Sequence, residues 1–567
     1  MTQPPPPPNQ PPQQGGFGPP QDQPPQQPPA PGYGYPQTPP PPGYGYPQAP
    51  QGAPQPPPGY GYPGPQPNPY AQPNPYAQPN PYGPQPGQPG GGGRKANASL
   101  VIIVSALVVI ALIVGGGVWY AKSSADGGTK HDTAGSSGGT GGGGGTSSGG
   151  KEKVPSDTAS KVLFRVPLPK TNDTVVTAGS WLTDKVYAKS GIAQINGYDP
   201  DKGGKLWTVK LPGPVCAVTD HVTSDHRTAI VFQPKMPAKN STAGCSQVAA
   251  IDLDAGKKLW TQSVDAGDYP ISFENVTVAQ RTVAVGSTNG GAAFDVDSGK
   301  VLWQPKPTDT CYDAGYGGGE KLVAVRKCGK YDNQQLHIQT IDPKSGKVIS
   351  EYKMASGIEY ASVVSTDPLV VAADVGDSAG DGSGISDYFS IDNRTGRLRT
   401  RISAPGDSYG GRCDGISRIE FCKQIVVGND SLYVPTEEHD SSGEYGKTNE
   451  IVAFDLGTGK QTGQRADAGD GYTISPLRMD GGNLIAYKSP PYDKGGQIVS
   501  IDGGSFKETG LLENPATEEV RKLESGMLPD SAEILYAQGR LYMAGTYAHK
   551  MDSYSNAYLA VGFGAGG

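Results

Sequence analysis

One short unit, repeated through the C-terminal part of the chain, limits the fold more than any other feature. An apolar strand ends in Asp, a turn containing Gly follows, and Lys or a polar residue opens a second strand that often closes on Trp. The copies are GYDPDKGGKLW (197–207), AAIDLDAGKKLW (249–260), AAFDVDSGKVLW (292–303), QTIDPKSGKVIS (339–350), FSIDNRTGRLRT (389–400), VAFDLGTGKQTG (452–463) and VSIDGGSFKETG (499–510). Their aligned aspartates are Asp199, Asp252, Asp295, Asp342, Asp392, Asp455 and Asp502, spaced by 43 to 63 residues. A β-type repeat with a period near 50 marks propeller blades. Each copy predicts the hairpin between the third and fourth strands of a blade. Asp is placed to accept backbone N–H groups of the turn, and Gly supplies positive φ. Trp207, Trp260 and Trp303 are expected to pack between neighbouring blades.

The two ends of the repeat region complement each other. KVLFRVPLP (161–169) resembles a fourth strand with no third strand before it, and AYLAVGFGAGG (557–567) resembles a third strand with no fourth after it. Pairing them closes the ring as an eighth blade, so the expected fold is an all-β, eight-bladed β-propeller, with seven blades as the alternative. A short helix is expected near Thr517–Leu523.

Upstream of the repeat the composition changes. Gly (83) and Pro (56) make up about a quarter of the 567 residues, and residues 1–93 hold most of the prolines. PGYGYP and NPY units recur there, almost without charge or aliphatic side chains. Proline removes backbone donors, so this tail is expected to be disordered with a polyproline II bias. Pro41-Pro42-Gly43-Tyr44 and Pro57-Pro58-Gly59-Tyr60 fit a PPxY pattern through which the tail could gather cytosolic partners. Leu100–Tyr120 carries no charge over 21 residues, enough to cross a bilayer as one helix. Arg94 and Lys95 precede it and Trp119 and Tyr120 close it, which favours a cytosolic N-terminus and an extracytoplasmic C-terminus. A cleaved signal peptide ending near Ser123-Ser124-Ala125 is the alternative. The expected organisation is a tail at 1–95, a membrane span at 96–121, a Gly/Ser-rich linker at 122–160 and the propeller at 161–567.

Six cysteines allow fifteen connectivities. Cys216 and Cys245 fall in the second repeat, Cys311 and Cys328 in the fourth, Cys413 and Cys422 in the sixth. Two per blade favours three local disulfides, Cys216–Cys245, Cys311–Cys328 and Cys413–Cys422, which in turn need an oxidising compartment. No C-x-x-C, GxSxG, P-loop or haem-attachment pattern occurs. The histidines, including the nearby pair His221 and His226, form no carboxylate–His constellation in sequence. One acidic, Gly-rich insertion, ADVGDSAGDGSGISDY (373–388), places Asp374, Asp377, Asp381 and Asp387 close enough to suggest Ca²⁺ ligands, against a solvated loop. A second insertion, Thr436–Thr448, is polar. The net charge of −7 excludes a generally basic nucleic-acid binder.

The A-x-D-x-x-[ST]-G-K-x-x-W unit, cleanest at 250–260 and 293–303, resembles the tryptophan-docking repeat of the quinoprotein (PQQ-binding-like) β-propeller family. The resemblance covers roughly 161–567, with Trp lost from Ser350 onward. That family includes quinoprotein dehydrogenases, a non-enzymatic lipoprotein that assists outer-membrane barrel assembly, and sensor propellers attached to bacterial Ser/Thr kinases. The dehydrogenases carry an adjacent Cys-Cys pair, Ca²⁺ ligands and a catalytic Asp. Here no two cysteines are adjacent, and the alignable aspartates are turn residues. The resemblance therefore implies a non-enzymatic, membrane-anchored binding scaffold or sensor of the cell envelope that engages protein or peptide through a propeller face. No cofactor is expected. The alternatives are an envelope oxidoreductase using PQQ and Ca²⁺, and a receptor propeller partnering a membrane Ser/Thr kinase.

Overall fold

The computed structural model describes residues 150–565, apart from 239–242, 307, 331–333, 377, 380–383, 414–417, 442, 444–445 and 551–556. The expected tail and the span Leu100–Tyr120 lie outside these residues. Among the described residues, no helix is long and apolar enough to cross a membrane.

Eight four-stranded antiparallel sheets follow one another. Blades 1 to 7 occupy 180–210, 215–262, 275–303, 311–353, 362–403, 426–467 and 473–513, each built from strands in sequence order. Blade 8 takes its first three strands from Glu533–Ala537, Arg540–Ala544 and Tyr558–Ala565 and its outermost from Ser160–Pro167. Ser160 pairs with Ala565 and Pro167 with Tyr558, so the two ends of the domain zip together as the sequence implied. First strands of successive blades pack on one another, for example Asn275–Ala279 against Cys311–Gly317 and that strand against Ser362–Thr366. They form the inner ring.

The core is divided accordingly. Each of eight apolar clusters lies between two neighbouring blades, including blades 8 and 1, where Phe164, Tyr187, Tyr198 and Tyr542 meet. Blades are covered on both faces, so their middle strands are buried on both sides and largely apolar. On Arg227–Phe232, Ala229 and Val231 face blade 3 while Ile230 and Phe232 face blade 1. Buried Lys189 of blade 1 adds an ion pair at 2.7 Å to Glu533 of blade 8 and donates to Thr177 O at 2.7 Å.

The repeat now has a mechanical reading. Asp295 Oδ1 accepts from Ser298 N (2.8 Å) and Ser298 Oγ (2.6 Å), and Asp342, Asp392, Asp455 and Asp502 hold the same i+3 residue through its N–H and hydroxyl. Asp199 and Asp252 hold backbone N–H groups alone. The turn Gly, at φ near +65°, leaves no room for a Cβ, because the preceding blade's fourth-strand ring lies on it. Trp207 covers Gly256, Trp260 covers Gly299 and Trp303 covers Gly346. Phe164 fills the same role from blade 8 onto Gly203. In blades 4 and 5 the ring is replaced by Ser350, bonded to Asn393 O, and by Thr400 beside Gly459. Between blades 6 and 7 the sizes are exchanged. Gly463 stands at the Trp position, and Phe506, at φ +58°, stands at the turn Gly position of blade 7, where it packs near Tyr433.

Two boundaries differ from the sequence expectation. Residues 150–160, assigned to the linker, are already bound to the ring: Glu152 pairs with Arg478 at 2.6 Å and accepts from Gln538 N at 2.9 Å, and its own N–H donates to Asp480. The helix spans Glu518–Gly526, with Thr517 as its N-cap, so the expected segment began at the cap and stopped a turn short.

Candidate functional site

Four antiparallel strands per blade sort the connections onto two faces. Links between strands 1 and 2 and strands 3 and 4 form a turn face, where none exceeds eight residues. Links between strands 2 and 3, and from blade to blade, form a loop face. Every elaboration is on the loop face. It carries four two-stranded ribbons, Asp265–Ala266 with Tyr269–Pro270, Arg412–Cys413 with Cys422–Lys423, His439–Asp440 with Lys447–Thr448, and Val175–Val176 with Tyr547–Ala548, and also the helix. Glu152, by contrast, bonds to the turns at Asp480 and Gln538, so the chain joins the ring on the turn face.

All three disulfides are on the loop face too. Cys216–Cys245 ties the first strand of blade 2 to the segment before its third, and Cys311–Cys328 joins the first two strands of blade 4. Cys413–Cys422 closes the ribbon leading into blade 6, outside the four-stranded sheet in which the repeat map had put it. The sequence separations are 29, 17 and 9 residues. Loop-closure entropy then predicts losses of about 3.6, 3.1 and 2.6 kcal/mol when each pair is replaced by serines. Urea denaturation of the three double-serine variants checks that order.

The 22-residue connection between blades 5 and 6 crosses the axis. Ile419 O accepts from Val363 N of blade 5 (2.7 Å), Glu420 Oε1 accepts from Gly318 N of blade 4 (2.7 Å), and Lys423 donates to Ser531 O before blade 8 (3.1 Å). Blades 4 and 8 are opposite in an eight-membered ring. Residues 420 and 423 can be separated by only about 10 Å of chain, so this strap bridges the middle. His221 of blade 2 donates from Nε2 to Glu420 at 2.7 Å, fixing the strap a quarter-turn away.

These axial groups titrate together. Burial opposes protonation of His221, but the charge and hydrogen bond of Glu420 outweigh it and raise its pKa. Asp220 is open to solvent yet walled by the inner ring; that confinement, with Glu533 and Glu420 nearby, pushes its carboxyl up to about 6, against His221 and Lys423. The turn aspartates Asp199, Asp295, Asp342, Asp392, Asp455 and Asp502 are held low by hydrogen bonds from the residue three places on. The signs give a pH profile. Depressed turn carboxyls stabilise the fold above about pH 4 and lose this as pH falls through their folded values. The raised Asp220 costs stability progressively as pH rises from about 4 to about 6, and raised His221 stabilises below about 6.5 and loses this as pH rises through its folded value. The thermal midpoint is expected to peak near pH 4 and to fall in two steps, from about 4 to 6 through Asp220 and above about 6.5 through His221. Asp220→Asn should remove the step between about pH 4 and 6 in a pH series of melting curves.

The remaining candidates separate. Asp374 Oδ1 accepts from Ser378 N and Ala379 N, closing its own loop; Asp377 and Asp381 lie outside the described residues. Asp387 is no loop ligand: it lies buried on the third strand of blade 5 and forms a bidentate pair with Arg401. Asp184, His226 and Asp254 do converge on the turn face, their ligand atoms within 4.8 Å of one another, a constellation hidden in sequence because it joins turns of blades 1 and 2. Lys185 and Thr183 already bond to Asp254 at 3.1 Å each. A cavity of about 540 Å³ opens between blades 3 and 4, lined by Trp303, Tyr312, Asn289, Lys306, Asp313 and Arg326 among others. It sits at the thinnest of the eight cores, which relies on four alanines. The cysteines do not fit a quinone site of the dehydrogenase kind, since every one is bridged to a partner at least nine residues away.

The ring, its closure and its docking turns define a tryptophan-docking type of β-propeller. Residues 244–504 match the family described as outer membrane protein assembly factor BamB. That match supports a PQQ-like β-propeller repeat over these residues. Similar solved structures include BamB from Moraxella catarrhalis (13% identity, 70% of this chain and 99% of that chain, TM-score 0.36). Quinohemoprotein alcohol dehydrogenase from Comamonas testosteroni matches at 12% identity over 72% and 77% of the two chains, with a TM-score of 0.40. No curated protein matches the chain.

Proposed function

We propose that this protein is a membrane-anchored, extracytoplasmic binding scaffold or sensor of the cell envelope. In this reading the segment 96–121 anchors it, the tail gathers cytosolic partners, and the propeller engages protein or peptide. The observation that carries the reading is the one-sided elaboration of the ring: ribbons, helix and disulfides all stiffen the loop face, while the axis is crossed by the protein's own Glu420–His221 strap. Rigid loops on a rigid ring lower the ordering cost of binding. Oxidised cysteines agree with an extracytoplasmic location.

Crosslinking in intact cells followed by mass spectrometry tests this. Partners attached to loop-face residues support the scaffold; quinone- and Ca²⁺-dependent dye reduction by the purified protein, with no partner captured, sinks it.

A further inference from the structure

We infer that the loop face docks a basic, lysine- or arginine-bearing polypeptide segment. This rests on the scaffold reading and names the chemistry of its partner. The first support is the distribution of charge. In the loop-face connections acidic residues outnumber basic ones nearly two to one, whereas the rest of the propeller carries a slight basic excess. The largest acidic surplus of the domain therefore lies in the loop-face connections. The surplus is concentrated over blades 6 to 8, where Glu437, Glu438, Asp470, Asp493, Glu519 and Asp530 are all exposed. Such a field speeds the approach of cations and repels anionic polymers or lipid headgroups.

The second support is independent of charge. Four tyrosines are the strongly exposed aromatics of the described residues: Tyr269 (78%), Tyr360 (42%), Tyr492 (78%) and Tyr547 (50%). Tyr269 and Tyr547 are on ribbons, Tyr360 is on the link between blades 4 and 5, and Tyr492 is on the link within blade 7, so all four are on the loop face. Exposed tyrosine on the loops of a closed ring is interface chemistry. Its π face also suits a cation. The protein already makes that contact, with Lys327 Nζ 4.2 Å from the Tyr360 ring centre. Carboxylates and tyrosines mixed across several connections match an extended chain with spaced cationic side chains. The opposite face is bonded to the incoming segment at Glu152, which leaves the loop face on the far side of the ring from that junction.

The test uses the full-length protein in lipid nanodiscs and a fluorescent decapeptide of alternating Lys and Ala, with a Glu/Ala decapeptide as its counterpart. Anisotropy at about 0.1 M salt should show saturable binding of the Lys peptide only, weakening with added salt. Removing two rings and two charges from the loop face, in Y492A/Y547A/E437Q/E438Q, should weaken it by about tenfold. The turn-face variant D184N/E320Q should stay within about twofold of wild type. All substituted residues are solvent-exposed, so unchanged melting curves verify folding. Equal weakening by both variants, or equal binding of the acidic peptide, overturns the inference. The cell crosslinking separates the two readings: partners held on the loop face through non-basic segments would sink this inference and leave the scaffold standing.

Discussion

A chain ending at residue 556 should show no cooperative unfolding transition at 25 °C. The missing segment is the third strand of blade 8, and it lies between Arg540–Ala544 and Ser160–Pro167. Its loss exposes Leu559, Val561 and Phe563, all now buried, and unpairs the whole of Ser160–Pro167, which brings Phe164 and Val166 with it. Each such side chain contributes about 1.5–3 kcal/mol by burial, so five exceed the 5–15 kcal/mol net stability expected of a domain at their midpoint. The break also removes the cores between blades 7 and 8 and between 8 and 1. Circular dichroism against urea reads the result. A cooperative transition of normal midpoint in the truncated protein would show that the ring does not depend on its closure. The complementary change, Cys at the paired positions Ser160 and Ala565, should raise the midpoint, because it would lock the same seam.

Phe506→Ala should cost about 3–5 kcal/mol. At Gly203, Gly256, Gly299 and Gly346 the turn position is glycine and the preceding blade supplies the ring; here the turn supplies the ring and the preceding blade supplies Gly463. Phe506 is 7% exposed and held at φ +58°, a left-handed conformation that costs an L-residue roughly 1–2 kcal/mol. Alanine keeps that strain and loses the ring. Phe506→Gly removes the strain and should therefore be milder than alanine, although it has the smaller side chain. Gly463 itself sits at φ +83°, so adding Gly463→Trp to Phe506→Gly brings its own left-handed strain and should recover only part of the loss. Equilibrium unfolding of these variants separates the outcomes. If Phe506→Gly proves much worse than Phe506→Ala, the exchange of ring and turn is the wrong account.

The repeat made the ring readable because each copy marks a hairpin whose turn chemistry is local. Asp295 and Ser298 are three residues apart, and their bond needs nothing from the rest of the fold. Closure was readable for the same reason: KVLF at 161 is KVLW at 300 with Phe in the ring position, and Phe164 does cover a turn glycine. The exchange at Gly463 and Phe506 escaped because both halves of the motif fail there at once, and only contact between blades shows that the failures compensate. The strap escaped because residues 404–425 have no period. His221 and Glu420 are 199 residues apart, brought together only by the ring. The Asp184–His226–Asp254 cluster was missed on the same grounds. Asp387 was misplaced because an insertion and a strand start share one acidic stretch, and only Arg401 fourteen residues on distinguishes them.

The pairing of Pro167 with Tyr558 has a consequence in time. Some 390 residues separate the partners, and at 5–20 residues per second the first strand waits about 20–80 s after its own synthesis for the one that covers it. For that interval seven blades can form while an apolar edge stays open at each end. Those edges stay uncovered until Tyr558–Ala565 is made and pairs with Ser160–Pro167.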